Sequence, residues 1–166
     1  MQQTALKQDA NPLSISDLLS PERIRCNADA SSKKRALELV SELLVGNSTQ
    51  LNGRTVSELL LAREKLGSTG LGHGVALPHG RCAGLSEAIA VFLKLRAGVD
   101  YDAPDGEPVD LIVGLLVPEH CNEAHLQLLA QLAELFSQDS VRRELRGPIS
   151  PPQVQAIFNR LPPPPS

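Results

Sequence analysis

Apolar residues recur at the spacing of one helix face in two segments of the first half of the chain. In the first segment, Ser31 or Ser32 can cap a helix that ends at Gly46. The inward face of this helix is predicted to carry Ala36, Leu39, Val40, Leu43 and Leu44. A second helix, over residues 56–66, is predicted to place Arg63 on the side that faces the protein, near the glycines that follow.

Two continuous apolar runs, residues 88–95 and 109–117, occupy the middle of the chain. Runs of this length are typical of strands that are buried on both faces, so we expect both at the centre of a sheet. The polar, turn-rich segment 98–108 separates them. Residues 24–26 are a further predicted strand.

Helical spacing returns in the second half of the chain. An amphipathic helix is predicted from Asn122 or Glu123, with an inner stripe made of Leu128, Leu129, Leu132, Ala133 and Phe136. His125 lies in its first turn and shares that stripe. Shorter helices are expected from Ser16 onwards, around residues 141–145 and over residues 151–161. Helices that alternate with strands in this way predict a layered α/β domain.

The length of 166 residues and the 42% hydrophobic content suffice for one domain with a substantial core. We expect this domain to span residues 12–161, between a disordered arm at residues 1–11 and a proline-rich tail at residues 162–166. The longest apolar run is far shorter than the ~20 residues that cross a bilayer, and the polar start lacks the apolar region of a signal peptide. These features predict a cytoplasmic protein that does not insert into a membrane.

Charge and composition exclude some partners. The formal net charge of −3 and the aromatic content of 2% provide neither a basic surface nor stacking side chains, so a nucleic acid is not an expected partner. The cysteines Cys26, Cys82 and Cys121 cannot all pair, and their spacing matches neither a disulfide framework nor a zinc knuckle. We expect reduced thiols.

The sequence STGLGHGVALPHG, residues 68–80, is the most distinctive local pattern. Val75 and Leu77 alternate as in a short strand, and Pro78, which has no backbone N–H, is predicted to end it. His79 should then project from the exit of the strand, with Gly80 leaving room for a reacting partner. A neutral imidazole in such a position can act as a nucleophile. The alternative is a histidine that merely caps a strand end.

Several of these motifs together resemble the type-2 (mannitol/fructose) IIA domain of the bacterial phosphoenolpyruvate:sugar phosphotransferase system. The resemblance rests on residues 68–80, on the preceding Arg-Glu-Lys at residues 63–65, and on Leu-Val-Pro at residues 116–118 followed by His125-Leu126. SKKRALE at residues 32–38 makes the chain most similar to the nitrogen-regulatory branch of that family. The resemblance covers residues 13–161, and motifs in the right order over such a length are more specific than a lone glycine loop. It implies a mixed β-sheet of about five strands at the centre of the domain, with helices packed on both faces of the sheet.

The resemblance also implies site residues. It makes His79 the phosphoryl acceptor, as a tele-phosphohistidine, with His125 orienting the phosphate and Arg63 binding it through its forked guanidinium. Supporting roles are expected for Glu64, Ser68, Thr69, Gly70, Gly72, Gly74 and Gly80. No metal or other cofactor is expected, because histidine is itself a good attacking and leaving group.

Each assignment has a plainer alternative. Arg63 can be a solvated helix residue paired with Glu58 or Glu64, as exposed arginines usually are. His125 can be a histidine at the edge of the core, bonded to a nearby carbonyl. His73 and His120 receive no role.

The implied partners are proteins. An HPr-like carrier, the nitrogen-branch relative NPr, is expected to deliver the phosphoryl group downstream of enzyme I, and regulatory or ion-transport proteins are the expected targets. A transient docking surface is predicted from Leu71, Leu77 and Leu85.

Two other functions are open. A sugar-specific IIA component would pass its phosphate to a IIB domain for sugar uptake. A metal-binding or hydrolytic protein would use His73, His79, His120, Cys121 and His125, although these residues lack the paired spacing of a zinc site.

Overall fold

The computed structural model describes residues 18–120 and 123–160, without the side chains of residues 124 and 125. The predicted arm, the helix start at Ser16, Cys121, Asn122 and the proline-rich tail lie outside the described residues. Within them the chain forms a single α/β domain, as predicted from its alternating pattern. None of the helices in these ranges combines the length and the apolar character needed to cross a membrane.

In the part of the chain that the structure describes, six strands form one mixed sheet. They are β1 (Ile24–Ala28), β2 (Gly70–Gly72), β3 (Val75–Ala76), β4 (His79–Cys82), β5 (Ile89–Val99) and β6 (Val109–Pro118). Their order is β1-β5-β6-β3-β2, and β4 also pairs with β6, beyond β3. The strands β5 and β6 are antiparallel to each other, whereas β3 and β4 both run parallel to β6. The two apolar runs therefore lie at the centre of the sheet, as expected.

Helices cover both faces of the sheet. They are α1 (Lys33–Val45), α2 (Gly53–Lys65), α3 (Glu123–Phe136), α4 (Asp139–Arg146) and α5 (Pro151–Phe158), with a 3-10 turn at Pro21–Arg23. Successive residues of a strand point to opposite faces, and in β6 Leu115 packs in the core beneath α3 while Leu116 packs in the core beneath α1 and α2. The domain therefore has two apolar cores, one on each side of the sheet.

Local capping sets the helix starts. The Ser32 hydroxyl accepts a hydrogen bond from the Arg35 N–H (3.1 Å), as predicted for α1. The start predicted for α2 is wrong by three residues, because the Asn52 side chain accepts from the N–H groups of Arg54 (2.9 Å) and Thr55 (3.2 Å) and allows the helix to begin at Gly53. In α3 the buried stripe also includes Leu135, which the prediction omitted.

The chain returns to the sheet directly after Pro78. The strand predicted through Leu77 ends at Ala76, and pairing with β6 resumes at His79. Pro78 lacks an N–H, but its carbonyl still accepts from the Leu115 N–H (3.0 Å), so the register with β6 is kept. His79 is therefore the first residue of a new strand, β4, and does not project from the exit of the preceding one, which corrects the prediction.

Candidate active site

A groove of about 550 Å³ opens along β4. Among the described strands β4 pairs only with β6, so its other edge is free. The floor of the groove is formed by His79, Gly80 and Arg81. Its walls come from α2, α3 and β6, through Leu59, Ala62, Arg63, Leu66, Leu126, Leu129, Leu115 and Val117. The groove thus lies where the helical layers of the two sheet faces meet at one edge.

The imidazole of His79 is half-buried and is held by its own chain. Its Nδ1 lies 2.7 Å from the carbonyl oxygen of Leu77. A carbonyl oxygen can only accept, so Nδ1 carries the proton of this hydrogen bond. In the neutral ring the lone pair is then on Nε2, which gives the groove a nucleophilic nitrogen.

Gly80 allows α2 to approach β4 closely. A Cβ atom at this position would overlap with Cδ2 of Leu59, the nearest side chain of α2. Arg63 lies one helical turn beyond Leu59, so the same contact sets how closely the wall that carries Arg63 approaches His79. Gly80 was predicted to leave room for a reacting partner. In the structure it also leaves room for the side chain of Leu59.

The guanidinium of Arg63 is directed toward the end of its own helix. Its Nη1 donates to the carbonyl oxygen of Gly67 (2.9 Å), and the residue lines the groove together with His79. Neither predicted ion pair forms, because Glu58 pairs with Arg54 and Glu64 pairs with Lys33. Arg63 therefore keeps further N–H donors for an anion in the groove.

Glu64 points the other way and is 8% exposed. Its carboxylate accepts from Lys33 Nζ (2.8 Å), from the Thr69 N–H (3.1 Å) and from the Tyr101 hydroxyl (3.2 Å). The Thr69 hydroxyl donates to it as well. A buried carboxylate with this many donors ties the end of α2 to the segment that leads into β2. Leu60, four residues earlier, is buried too, so helical phase was the sequence signal for the burial of Glu64.

The same network encloses Tyr101. Its hydroxyl lies 3.1 Å from the Thr69 hydroxyl, and Lys33 Nζ lies 4.7 Å from the centre of its ring. Burial raises the pKa of the Tyr101 hydroxyl far above its ordinary value. The hydrogen bond with Thr69 lowers this pKa, and the Glu64 carboxylate raises it further. Lys33 and Tyr101 lie far from Glu64 in the sequence, and no local pattern signalled their contact.

The glycine-rich residues before His79 form a hairpin outside the groove. Gly70 begins β2, its N–H bonds to the Ser68 hydroxyl (3.1 Å), and Ala103 occupies the space that a Cβ would need. Gly72 and Gly74 both have positive φ angles, of 92° and 79°. The N–H groups of Thr69 and Gly70 are thus bonded within the protein, and none of these residues lines the groove with His79.

The other histidines are separate from the groove. His73 forms the tip of the hairpin, with its N–H bonded to Asp105 (2.9 Å) and its carbonyl to Arg146 (2.6 Å). The N–H bonds from His73 and Glu107 hold the pKa of Asp105 below its usual value.

His120 is exposed in the turn after β6. Among the side chains that the structure describes, which do not include that of His125, no three from His, Cys, Asp or Glu come together as metal ligands.

His125 occupies the third position of α3, and its side chain lies outside what the structure describes. Leu126 and Leu129 of the same helix line the groove, so the first turns of α3 border it. Residues four apart share a helix face, which places position 125 on the same side as Leu129.

The apolar surface beside His79 differs from the predicted one. Leu77 is 4% exposed and packs in the core, so its predicted docking role is wrong. Leu71 is 41% exposed but lies in the hairpin. The large exposed apolar side chains described in the groove are Leu66 and Leu126, at 84% and 55% exposure.

Arg81 was missed by the sequence analysis. It is exposed, lines the groove and follows His79 by two residues in β4. The signal was the strand alternation itself, since residues i and i+2 share a face. This signal was hidden by the prediction that the strand ends at Pro78.

Comparisons with known proteins agree with this fold. The family described as phosphoenolpyruvate-dependent sugar phosphotransferase system, EIIA 2, matches residues 17–160. The nitrogen regulatory protein of Pseudomonas aeruginosa is 44% identical over 144 residues, which cover 87% of this chain and 92% of that protein. The crystal structure of nitrogen regulatory protein IIA-Ntr from Neisseria meningitidis superposes with a TM-score of 0.83 at 47% identity, covering 87% of this chain and 98% of that one.

A sugar-specific protein is less similar. The structure of IIA mannitol from Escherichia coli superposes with a TM-score of 0.69 at 25% identity, covering 84% of this chain and 97% of that one. The nitrogen regulatory relatives therefore resemble this chain more than this mannitol protein does.

Proposed function

This chain belongs to the EIIA 2 family of the phosphoenolpyruvate-dependent sugar phosphotransferase system, and on that premise we propose that it is a regulatory phosphocarrier whose acceptor is His79. Membership of this family implies that the phosphoryl group comes from an upstream carrier. We propose that the carrier is the HPr-like protein NPr, charged by enzyme I in the cytoplasm. Phosphorylation of His79 then changes the binding of regulatory or ion-transport target proteins. The similarity to nitrogen regulatory proteins supports this choice over sugar uptake.

The hydrogen bond between His79 and Leu77 carries the proposal. Because Nδ1 donates to the Leu77 carbonyl, Nε2 holds the lone pair in the neutral ring. The chain thereby fixes both the tautomer and the orientation of the nucleophile before the carrier arrives. Preorganisation of this kind is the main contribution that a protein makes to phosphoryl transfer.

The transfer exchanges one P–N bond for another. Nε2 of His79 attacks the phosphorus of a phosphohistidine on the carrier, and the Nε2–P bond forms as the P–N bond of the carrier breaks. The carrier imidazole leaves as a neutral base with the electron pair of the broken bond. Each ring keeps its N–H on the nitrogen remote from phosphorus, so no proton has to cross between the two proteins.

Arg63 and His125 are proposed to assist this step. Arg63 lines the same groove as His79 and has donors left beside its bond to Gly67, which suit two oxygens of a phosphoryl group. His125 lies in the first turn of α3, where free N–H groups and the helix dipole favour an anion. The exposed Leu66 and Leu126 provide apolar contact for a carrier that docks only transiently.

A reconstituted transfer assay tests the acceptor. Radiolabelled phosphoenolpyruvate, enzyme I and NPr are supplied to the intact chain and to two variants, His79→Ala and His120→Ala. Labelling should be lost in the first variant and kept in the second, since His120 is exposed and outside the groove. The label should be labile in acid and stable in base, as phosphoramidates are. Stoichiometric labelling of His79→Ala would refute the assignment.

Target binding tests the regulatory part of the proposal. Two charges added in a groove with an apolar rim must be desolvated or paired by any protein that covers it. We therefore expect His79→Glu to lose cytoplasmic or ion-transport partners that His79→Ala retains in pull-downs from cytosol and membrane extracts. If neither variant retains a partner and the phosphorylated chain passes its phosphate efficiently to a IIB domain, sugar uptake is the function instead.

A further inference from the structure

We propose that Arg81 is a second arginine that binds the phosphoryl group on His79, opposite Arg63. This inference rests on the proposed function, because it concerns the phosphorylated form of His79. It assigns a role to a side chain that neither the glycine-rich motif nor the Arg63 motif includes.

The sheet register places Arg81 on the same face as His79. In the β4–β6 pairing His79 lies opposite Leu115 and Arg81 lies opposite Val117, and all four residues line the groove. Strand residues two apart are separated by about 7 Å, a distance that the long side chain of an arginine can span. The guanidinium of Arg81 can therefore reach a phosphoryl group on the neighbouring imidazole.

The free edge of β4 adds donors at the same two positions. The Leu115 N–H bonds to the Pro78 carbonyl (3.0 Å), so in a parallel ladder Gly80 is the next residue to bond to β6. The backbone groups of His79 and Arg81 consequently face the open side of the strand. An anion bound between His79 and Arg81 can therefore accept a hydrogen bond from a backbone N–H in addition to its contact with the Arg81 guanidinium.

Arg81 has no competing partner among the described residues. Its side chain makes no hydrogen bond or ion pair within residues 18–120 and 123–160, the side chains of residues 124 and 125 excepted, whereas Arg63 already donates to the Gly67 carbonyl. Its guanidinium can turn toward a new anion without breaking an existing contact.

The test measures the phosphoryl group itself. The full-length chain is phosphorylated with phosphoramidate, which transfers its phosphoryl group to Nε2 of a histidine and releases ammonia, so that no carrier protein is needed. The resonance in the ³¹P spectrum that disappears in His79→Ala is assigned to His79, and its chemical shift is followed against pH. A nearby cation stabilises the dianion and lowers the pKa of this group.

The expected result is a rise of about 1 unit in the phosphoryl pKa of Arg81→Ala, largely reversed in Arg81→Lys. The matched control is Arg25→Ala, which removes an exposed arginine from β1 and should leave this pKa unchanged. Equal thermal midpoints of the variants exclude a folding defect.

An Arg81→Ala titration that matches Arg25→Ala would overturn the role of Arg81 while leaving His79 as the acceptor. A spectrum in which His79→Ala removes no resonance would overturn both proposals. The two failures are therefore distinguishable.

Discussion

Nδ1 of His79 and the carbonyl oxygen of Leu77 are 2.7 Å apart, on either side of Pro78. The proline restricts the backbone between donor and acceptor, because its ring fixes φ. The orientation of the imidazole is therefore held by a hydrogen bond that lies within three consecutive residues. The Pro-His pair of the motif acts as one structural unit.

The position of the phosphoryl group on the ring follows from this bond. We expect the phosphorylated chain to carry phosphorus on Nε2 of His79, with Nδ1–H still bonded to Leu77. Heteronuclear NMR of ¹⁵N-histidine-labelled protein distinguishes the two isomers by their phosphorus–nitrogen couplings. Phosphorus on Nδ1 would show that the bond to Leu77 breaks before transfer.

The variant His125→Ala should distinguish a histidine that orients the phosphoryl group from the histidine that accepts it. If the histidine in the first turn of α3 orients the phosphate, the variant should accept phosphate about 10² to 10³ times more slowly, as when one preorganised donor is removed. Rapid-quench transfer from the phosphorylated carrier measures the rate in both directions. Normal rates would return His125 to a structural role, and a melting curve establishes that the variant is folded.

Gly80→Ala should destabilise the domain through Leu59. The added Cβ overlaps with Cδ2 of Leu59, so this partly buried side chain has to turn away and loses contact with β4, at a cost of about 1 kcal/mol. Leu59→Ala alone should cost about 2 kcal/mol, because it removes apolar contact between α2 and β4. Urea unfolding of the double variant should then show a loss smaller than the sum of the two single losses, because the overlap is absent when residue 59 is alanine. Additive losses would show that the cost of Gly80→Ala does not come from contact with Leu59.

Tyr101 should keep its proton until the domain unfolds. The chain has one tyrosine and no tryptophan, so absorbance at 295 nm reports this hydroxyl alone. Burial raises its pKa in the folded state, whereas the unfolded chain releases the proton near pH 10. The absorbance change should therefore coincide with loss of circular dichroism. A titration near pH 10 in a folded protein would contradict the buried position.

The same shift makes stability fall in alkali. Above about pH 10 the unfolded state holds one proton fewer than the folded state at this site, so the free energy of unfolding decreases by up to about 1.4 kcal/mol per pH unit. Below pH 10 the contribution is fully present. Tyr101→Phe should remove this component of the slope, while the loss of its bonds to Glu64 and Thr69 lowers stability at neutral pH by about 1–3 kcal/mol.

Local physics explains what the sequence predicted well. The Ser32 cap depends on a hydrogen bond to a residue three positions away, and the apolar runs of β5 and β6 require only burial on both faces. Family membership, the α/β fold and the central strands were confirmed. The role of His79 is still a prediction that the proposed assays address.

Non-local contacts explain what it missed. The buried carboxylate of Glu64 depends on Lys33 and Tyr101, which lie 31 residues before and 37 residues after it in the chain. The return of the strand at His79 depends on an N–H from Leu115, a residue of β6. A prediction based on Pro78 alone ends the strand at that residue. It therefore does not extend the alternation of strand side chains to residues 79–81, which would have placed Arg81 on the same face as His79.

The free edge of β4 also bears on self-association. An unpaired strand edge invites a strand from another copy of the chain, which is how many proteins aggregate. Here the edge is four residues long, is preceded by Pro78 without an N–H, and carries the charge of Arg81. Proline, charge and short length are the features by which natural proteins block such pairing. These three features disfavour pairing of β4 with a second copy of the chain, while its edge stays open along the groove.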